Sequence, residues 1–324
     1  MSSSTSQPAH LTRGYLAALA SAGFLSTNAI FIRYLTQTYQ IPALVLACWR
    51  DFFVAICLVP VLGLIRPKLL KVDRKHLVYL LLYGLLLAIF NSLWTLSVCL
   101  NGAAVSTVLA YCSAGFTALL GWWFLKESLD WGKLLAVFLS LAGCVLVSGA
   151  LDPSAWISNI LGIITGILSG LAYAIYTLMG RKASLDGLNP WSTLLYTFGF
   201  AAFFLLIANL TLGGFLPGVA SQPVDLLWLG NRFVGWGILF LLAAGPTLAG
   251  FGLYNVSLVD LPSSVANLVV TLEPVFTATI AYILLHERMS PIQIVGGGLI
   301  LVGVVFLRIY EGRLASQLSN IQTA

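Results

Sequence analysis

The chain has 324 residues, of which 59% are hydrophobic and only 8% charged, with a formal net charge of +5. Soluble globular proteins carry about 25% charged residues, so this chain cannot cover a water-facing surface and belongs in a bilayer. The positive balance does not indicate nucleic acid, because the basic residues are scattered over short segments between apolar runs.

A membrane-spanning helix needs about 20 mainly apolar residues. Ten such runs follow one another, at 14–34, 42–65, 77–100, 103–125, 131–151, 157–180, 190–212, 233–258, 262–285 and 290–310. Short connections, with tight turns at Asn101-Gly102 and Leu261-Pro262, make neighbouring spans antiparallel. Arg13 and the small residues of "ALASAG" give the first run some likeness to a cleavable leader. Its apolar stretch continues to Ile32 and has a counterpart later in the chain, so it is read as an uncleaved helix. With the N-terminus inside, twelve lysines and arginines flank the spans on the inner side and three on the outer side; Arg50 lies within a span. The positive-inside rule then puts both termini in the cytoplasm, in a multi-pass protein of the cell membrane.

The chain repeats itself. "FLKESLDW" at 124–131 aligns with "LLHERMSP" at 284–291 at an offset of 160. That offset holds without a gap, pairing Leu81 with Leu241, Phe116-Thr117-Ala118 with Phe276-Thr277-Ala278, Glu127 with Glu287 and Gly143 with Gly303. The first two spans match the sixth and seventh at offset 148, as in Arg33 with Arg181 and Pro42 with Pro190. The difference is a 12-residue insertion between the seventh and eighth spans. Five spans per copy is an odd number, so tandem copies enter the membrane from opposite sides. The expected architecture is all-α: a tail at 1–13, one five-helix repeat at 14–151, an inverted one at 157–310, and a tail at 311–324. Such repeats suit alternating access to a site near mid-bilayer.

Ten spans, two five-helix repeats, the "FLKES" and "LLHER" span ends and "TLEPVF" at 271–276 resemble the EamA-type transporters of the drug/metabolite transporter superfamily. The resemblance covers nearly all of 13–310. It implies secondary transport of small metabolites, often amino-acid export, through a central cavity lined by helices of both halves. Substrate and direction vary among relatives. The first repeat departs from the motif, with Ser113-Ala114 in place of Glu273-Pro274.

Glu273 lies ten residues into its span, roughly 15 Å deep, where a charge costs about 2.5–3.5 kcal/mol. It must be neutral, paired or wet. Two functional roles are open, a proton-coupling carboxylate and a partner for a substrate amine; the structural alternative is a carboxyl that pins a kink. Pro274 should bend the helix, as a hinge, by freeing the Val270 carbonyl. Arg50 lies at overlapping depth, either as a fixed ion-pair partner or as a cation for a substrate carboxylate. Asp51 points about 100° away around the helix and need not pair with it. Asn28, Asn91, Tyr111, Tyr173, Tyr176, Asn267 and Thr271 are the other candidates for a cavity wall that takes apolar or aromatic solutes. Trp94 and Tyr254, repeat-equivalent, are read as gate residues or as an interfacial belt. Gly143, Gly303 and "GGG" at 296–298 suit close helix packing within one chain, or a homodimer seam.

Five cysteines stand in apolar runs without metal-ligand spacing. No phosphate loop and no nucleophile–base spacing stands out, and the three histidines lie at or beyond span ends. No metal, cofactor or enzymatic activity is expected. The partners are lipid and a small solute. A second kind of carrier, exchanging phosphorylated solutes or nucleotide-sugars, would need several cavity cations, and Arg50 stands alone at depth. A non-transporting scaffold or lipid-binding protein is the alternative of a different class.

Overall fold

The computed structural model describes residues 6–147, 160–213, 215–285 and 290–323. These are helical, with no strand among them. Helices α1 (Ser6–Leu25) and α2 (Asn28–Thr38) share the first span and meet at a break over Ser26-Thr27. There follow α3 (Ala43–Ile65), α4 (Arg74–Tyr111), α5 (Ser113–Phe124), α6 (Trp131–Val147), α7 (Ile160–Leu185) and α8 (Pro190–Thr211). A π-helical turn over Ala243–Thr247, around Pro246, separates α9 (Phe233–Leu242) from α10 (Leu248–Asp260). The chain ends with α11 (Ser263–Val270), α12 (Glu273–Leu285) and α13 (Pro291–Thr323).

Seven helical stretches among the described residues are long and apolar enough to cross a membrane, and 131–146 and 291–307 are shorter apolar helices. The predicted span at 262–285 is instead two half-helices. Large apolar side chains face outward all round, among them Leu64, Ile56, Leu82, Phe138, Phe203, Ile294 and Val302. Polar groups such as Ser21, Thr95, Ser106, Thr117 and Ser169 are buried. That distribution suits lipid rather than water as the surrounding solvent.

Helical hydrogen bonding runs from Arg74 to Tyr111, through the predicted turn at Asn101-Gly102. The chain nevertheless reverses there. Residues nine apart in a straight helix are separated by about 13.5 Å along the axis, yet Ser97 Oγ donates to Ser106 Oγ at 2.9 Å. The helix therefore folds back on itself between Ser97 and Ser106.

Helices of the two halves interleave. α4 lies along α7, α1 along α10, α3 along α8, and α6 along α13. At the last crossing, a Cβ on Gly143 would stand 2.6 Å from the Gly296 carbonyl, and one on Gly303 would stand 2.9 Å from Ser140 Oγ. The small residues thus serve packing within the chain. α3 and α8 hold each other at both ends. Ser192 and Tyr196 hydroxyls donate to the Leu69 and Leu70 carbonyls. At the other end, the Leu44 amide donates to Gly218 and Trp49 Nε1 to Leu226, within the segment that holds the predicted insertion.

"FLKES" has a concrete task. Lys126 adopts φ 56° and ends α5, which turns Glu127 back across the bundle. Its carboxylate accepts from the amides of Ser263 and Ser264 and from both hydroxyls, at 2.6–3.2 Å. It thereby caps the first amides of α11 from the loop that follows α5. Glu127→Ala is expected to destabilise the protein by about 1–3 kcal/mol, with Glu127→Gln in between; thermal unfolding in detergent measures it. The matching Glu287, with His286 and Arg288, lies outside the described residues.

Candidate functional site: a central cavity

Two helix breaks frame the site. α4 gives way to α5 at Cys112, and α11 to α12 at Thr271-Leu272. Cys112 and Leu272 stand 160 residues apart, the offset at which the sequence matches itself. Around each, amides reach back only three residues: Cys112 to Leu109, Thr271 to Leu268 and Leu272 to Val269. Pro274 falls in the first turn of α12, where a missing amide costs little. The bend expected at Pro274 is present just before it, but the first repeat makes the same break with Ala114 and no proline. Proline is therefore not its sole cause. Gly170 permits the approach of α7 to the first break, since a Cβ there would stand 2.9 Å from the Leu109 carbonyl. Pro274→Ala is expected to keep the break, to move the melting temperature by no more than about a few degrees, and to slow turnover more than it weakens binding. Equal losses in binding and turnover, measured by uptake and ligand titration, would count against a hinge.

Between the breaks lies a cavity of about 40 Å³, lined by Leu25, Asn28, Arg50, Phe90, Asn91, Trp94, Thr107, Ala110, Tyr111, Tyr173, Phe251 and Glu273. Most of its wall is apolar or aromatic, with one guanidinium and one carboxyl. Glu273 begins α12, and its Oε2 accepts from the Tyr111 hydroxyl at 2.5 Å. No lysine, arginine or histidine nitrogen among the described residues lies within 4 Å of it.

Arg50 does not pair with Glu273 at that range. Helical angles left a pair with Asp51 open, and the structure makes it: Arg50 Nε meets Asp51 Oδ1 at 3.3 Å. Asp51 Oδ2 accepts from Asn91 Nδ2 at 2.6 Å. Arg50 Nη2 is buried without a hydrogen-bond partner.

Six of the predicted wall residues thus meet around one space: Asn28, Arg50, Asn91, Tyr111, Tyr173 and Glu273. Tyr176, Asn267 and Thr271 do not line it. Asn267 joins a polar cluster instead, receiving Ser113 Oγ at 3.2 Å and donating to Thr177 Oγ1 at 3.3 Å, beside the 2.7 Å Thr177–Tyr254 hydroxyl contact. Thr271 spends its hydroxyl on the Leu268 carbonyl at the break. Tyr176 stacks with Tyr173 in a column of rings: Phe90–Tyr173 at 5.0 Å, Tyr173–Tyr254 at 5.6 Å, Tyr83–Tyr176 at 4.7 Å and Tyr79–Tyr83 at 6.2 Å. The column closes the cavity toward the start of α4.

The belt reading of Trp94 and Tyr254 is corrected: Trp94 is 9% exposed and lines the cavity, and Tyr254 is fully buried in the ring column. Exposed indoles occur at Trp122, Trp123 and Trp131. Residues the sequence reading missed are Asp51, Phe90 and Phe251. Phe90 lies one helical turn before Trp94, a spacing that places both rings on one face.

A multi-pass, all-helical membrane protein enclosing a small, mostly apolar cavity between broken helices is the class these features define. The family comparison makes it specific: the model of the EamA-like transporter family matches residues 12–149 and 160–309, and the chain belongs to that family. Similar proteins include "Uncharacterized transporter YyaM" of Bacillus subtilis, 24% identical over 236 residues, 72% of this chain and 73% of the relative. Another is the "S-adenosylmethionine uptake transporter" of Rickettsia bellii, 23% identical over 294 residues, 90% of this chain and 92% of the relative. A solved crystal structure superposes with a TM-score of 0.72 at 15% identity, over 94% of this chain and 99% of that one. The last shares the fold.

Proposed function

We propose that this protein is a secondary transporter that moves small amine-bearing metabolites by alternating access, with neutral or aromatic amino acids as the model solutes and export as the favoured direction. The reading takes ten spans as two inverted five-helix repeats, 14–151 and 157–310, with both termini in the cytoplasm. The interleaved pairing supports it, since α4 with α7 and α1 with α10 exchange places under the repeat. So do the equivalent breaks at Cys112 and Thr271-Leu272. Contacts between segments assigned to one side agree with it: Arg13 to Asp260 and Arg181 to the Leu258 and Val259 carbonyls inside, Trp228 to the Tyr39 carbonyl outside.

The observation that carries the reading is the central cavity with Glu273, Arg50 and aromatic rings at the two breaks. A substrate amine faces Glu273, its apolar part lies on the rings, and Arg50 Nη2 donates to an oxygen. Proton binding at Glu273 alternates with substrate and couples flux to the proton gradient. The cavity has room for water but is far smaller than the roughly 300–1,000 Å³ of small-molecule sites, so the halves must part to admit cargo. The ring column forms the inner gate and is shut in this conformation. An exchanger of phosphorylated solutes is disfavoured, because Arg50 is the one cation among the described residues that line the cavity. Proteoliposome flux tests the reading. Saturable uptake of an amine-bearing solute, driven by a proton gradient, is expected. No flux with a panel of amino acids, amines, nucleotides and sugar phosphates would favour the scaffold alternative.

A further inference from the structure

Asp51 is a fully buried carboxyl that the transport cycle above leaves without a task. It stands behind the cavity wall and joins two residues that line it, Arg50 through Nε and Asn91 through Nδ2. The arrangement has two consequences. Arg50 is gripped along one edge, so that Nη2 is left without a partner at the wall. The charge of Arg50 is also matched by the charge of Asp51 at 3.3 Å. Glu273 is then the formal charge at the wall with no opposite charge within 4 Å among the described residues. The remaining hydroxyl and amide side chains of the wall, Asn28, Asn91, Thr107, Tyr111 and Tyr173, are uncharged. The rings of Phe90, Trp94 and Tyr173 line the same space and offer an apolar surface to the rest of an amine-bearing solute.

We infer that Asp51 sets the charge preference of the cavity: by neutralising Arg50, it makes the site select solutes whose amine or onium charge is not cancelled by a carboxylate. This rests on the transport reading and narrows it, ranking amines ahead of the amino acids taken there as model solutes. The cation faces Glu273, with the apolar part of the solute on the rings. Arg50 Nη2 serves as a hydrogen-bond donor to a neutral or charged oxygen and confers little advantage on an anion. Asp51 acts through Arg50, as a positioning and specificity-determining residue.

Matched solutes test this: phenylalanine, phenethylamine and 3-phenylpropionate, with leucine, isoamylamine and 4-methylvalerate as a second series, titrated against purified protein in nanodiscs. The wild type should bind each amine at least as tightly as its amino acid, and the acid about tenfold or more weaker. Asp51→Asn unmasks the guanidinium and should move the order about tenfold or more toward the carboxylates. The doubly neutral Arg50→Gln/Asp51→Asn protein should restore the preference for amines. It also serves where the single variant fails to fold. An acid or amino acid that outbinds its amine in the wild type would overturn the inference, as would an Asp51→Asn protein that weakens all three solutes alike. A double variant that has lost the amine preference would do the same. Absence of binding by any solute in either series would remove the transport reading, and the inference with it.

Discussion

Glu273→Gln is expected to flatten the pH dependence of transport and to lower its rate about ten- to hundredfold, while the protein stays folded. The glutamine keeps the shape of the side chain and still accepts from Tyr111 through its amide oxygen, so stability should change by no more than about 1 kcal/mol. What it loses is the negative charge and the capacity to take up a proton. In the native site that charge has a tyrosine hydroxyl as its hydrogen-bond partner and no cation within 4 Å among the described residues. A carboxylate so enclosed must be answered by a proton or by a cationic cargo. Removing a charge-assisted contact of this kind costs about 1.5–3 kcal/mol, which gives the stated loss of rate. Proteoliposome uptake between pH 5.5 and 8.5 measures it. An unchanged pH profile would take Glu273 out of the coupling role.

Arg50→Ala should have the largest effect on stability. It leaves Asp51 fully buried with the Asn91 amide as its remaining hydrogen-bond donor among the described residues, and removing one member of a buried ion pair costs about 3–5 kcal/mol. Arg50→Ala/Asp51→Ala removes the uncompensated charge and should recover much of that loss, although not transport. Thermal unfolding of the two proteins side by side separates the structural duty of Arg50 from its place in the cavity wall. A single variant as stable as the wild type would mean that Asp51 does not depend on the guanidinium.

The spans were legible because hydropathy and length are set by the lipid, and the helices of the structure follow them closely from Ala43–Ile65 to Pro190–Thr211. The breaks were less so. Pro274 announces one, yet its counterpart at Cys112 follows "VLAY", which has no helix breaker. That break comes from how α7, through Gly170, and the half-helices pack, and tertiary packing overrides local propensity. The cavity wall was readable where a polar group sat at mid-span, as with Asn28, Arg50, Asn91 and Glu273. Asn267 and Thr271 carried the same signal and went elsewhere. A single helix cannot reveal which buried polar groups satisfy one another and which are left facing a space. The Arg50–Asp51 contact stayed open because a helical wheel treats side chains as radial spokes, whereas an arginine is long enough to reach its neighbour.

The account depends on two five-helix bundles inserted with opposite orientation. Single cysteines at Lys126→Cys and at Arg288→Cys, in a background lacking the five native cysteines, can be challenged in intact cells with a membrane-impermeant thiol reagent. Labelling at position 288 from outside, and at position 126 only after the membrane is opened, is the predicted result. Labelling of both positions from the same side would contradict it.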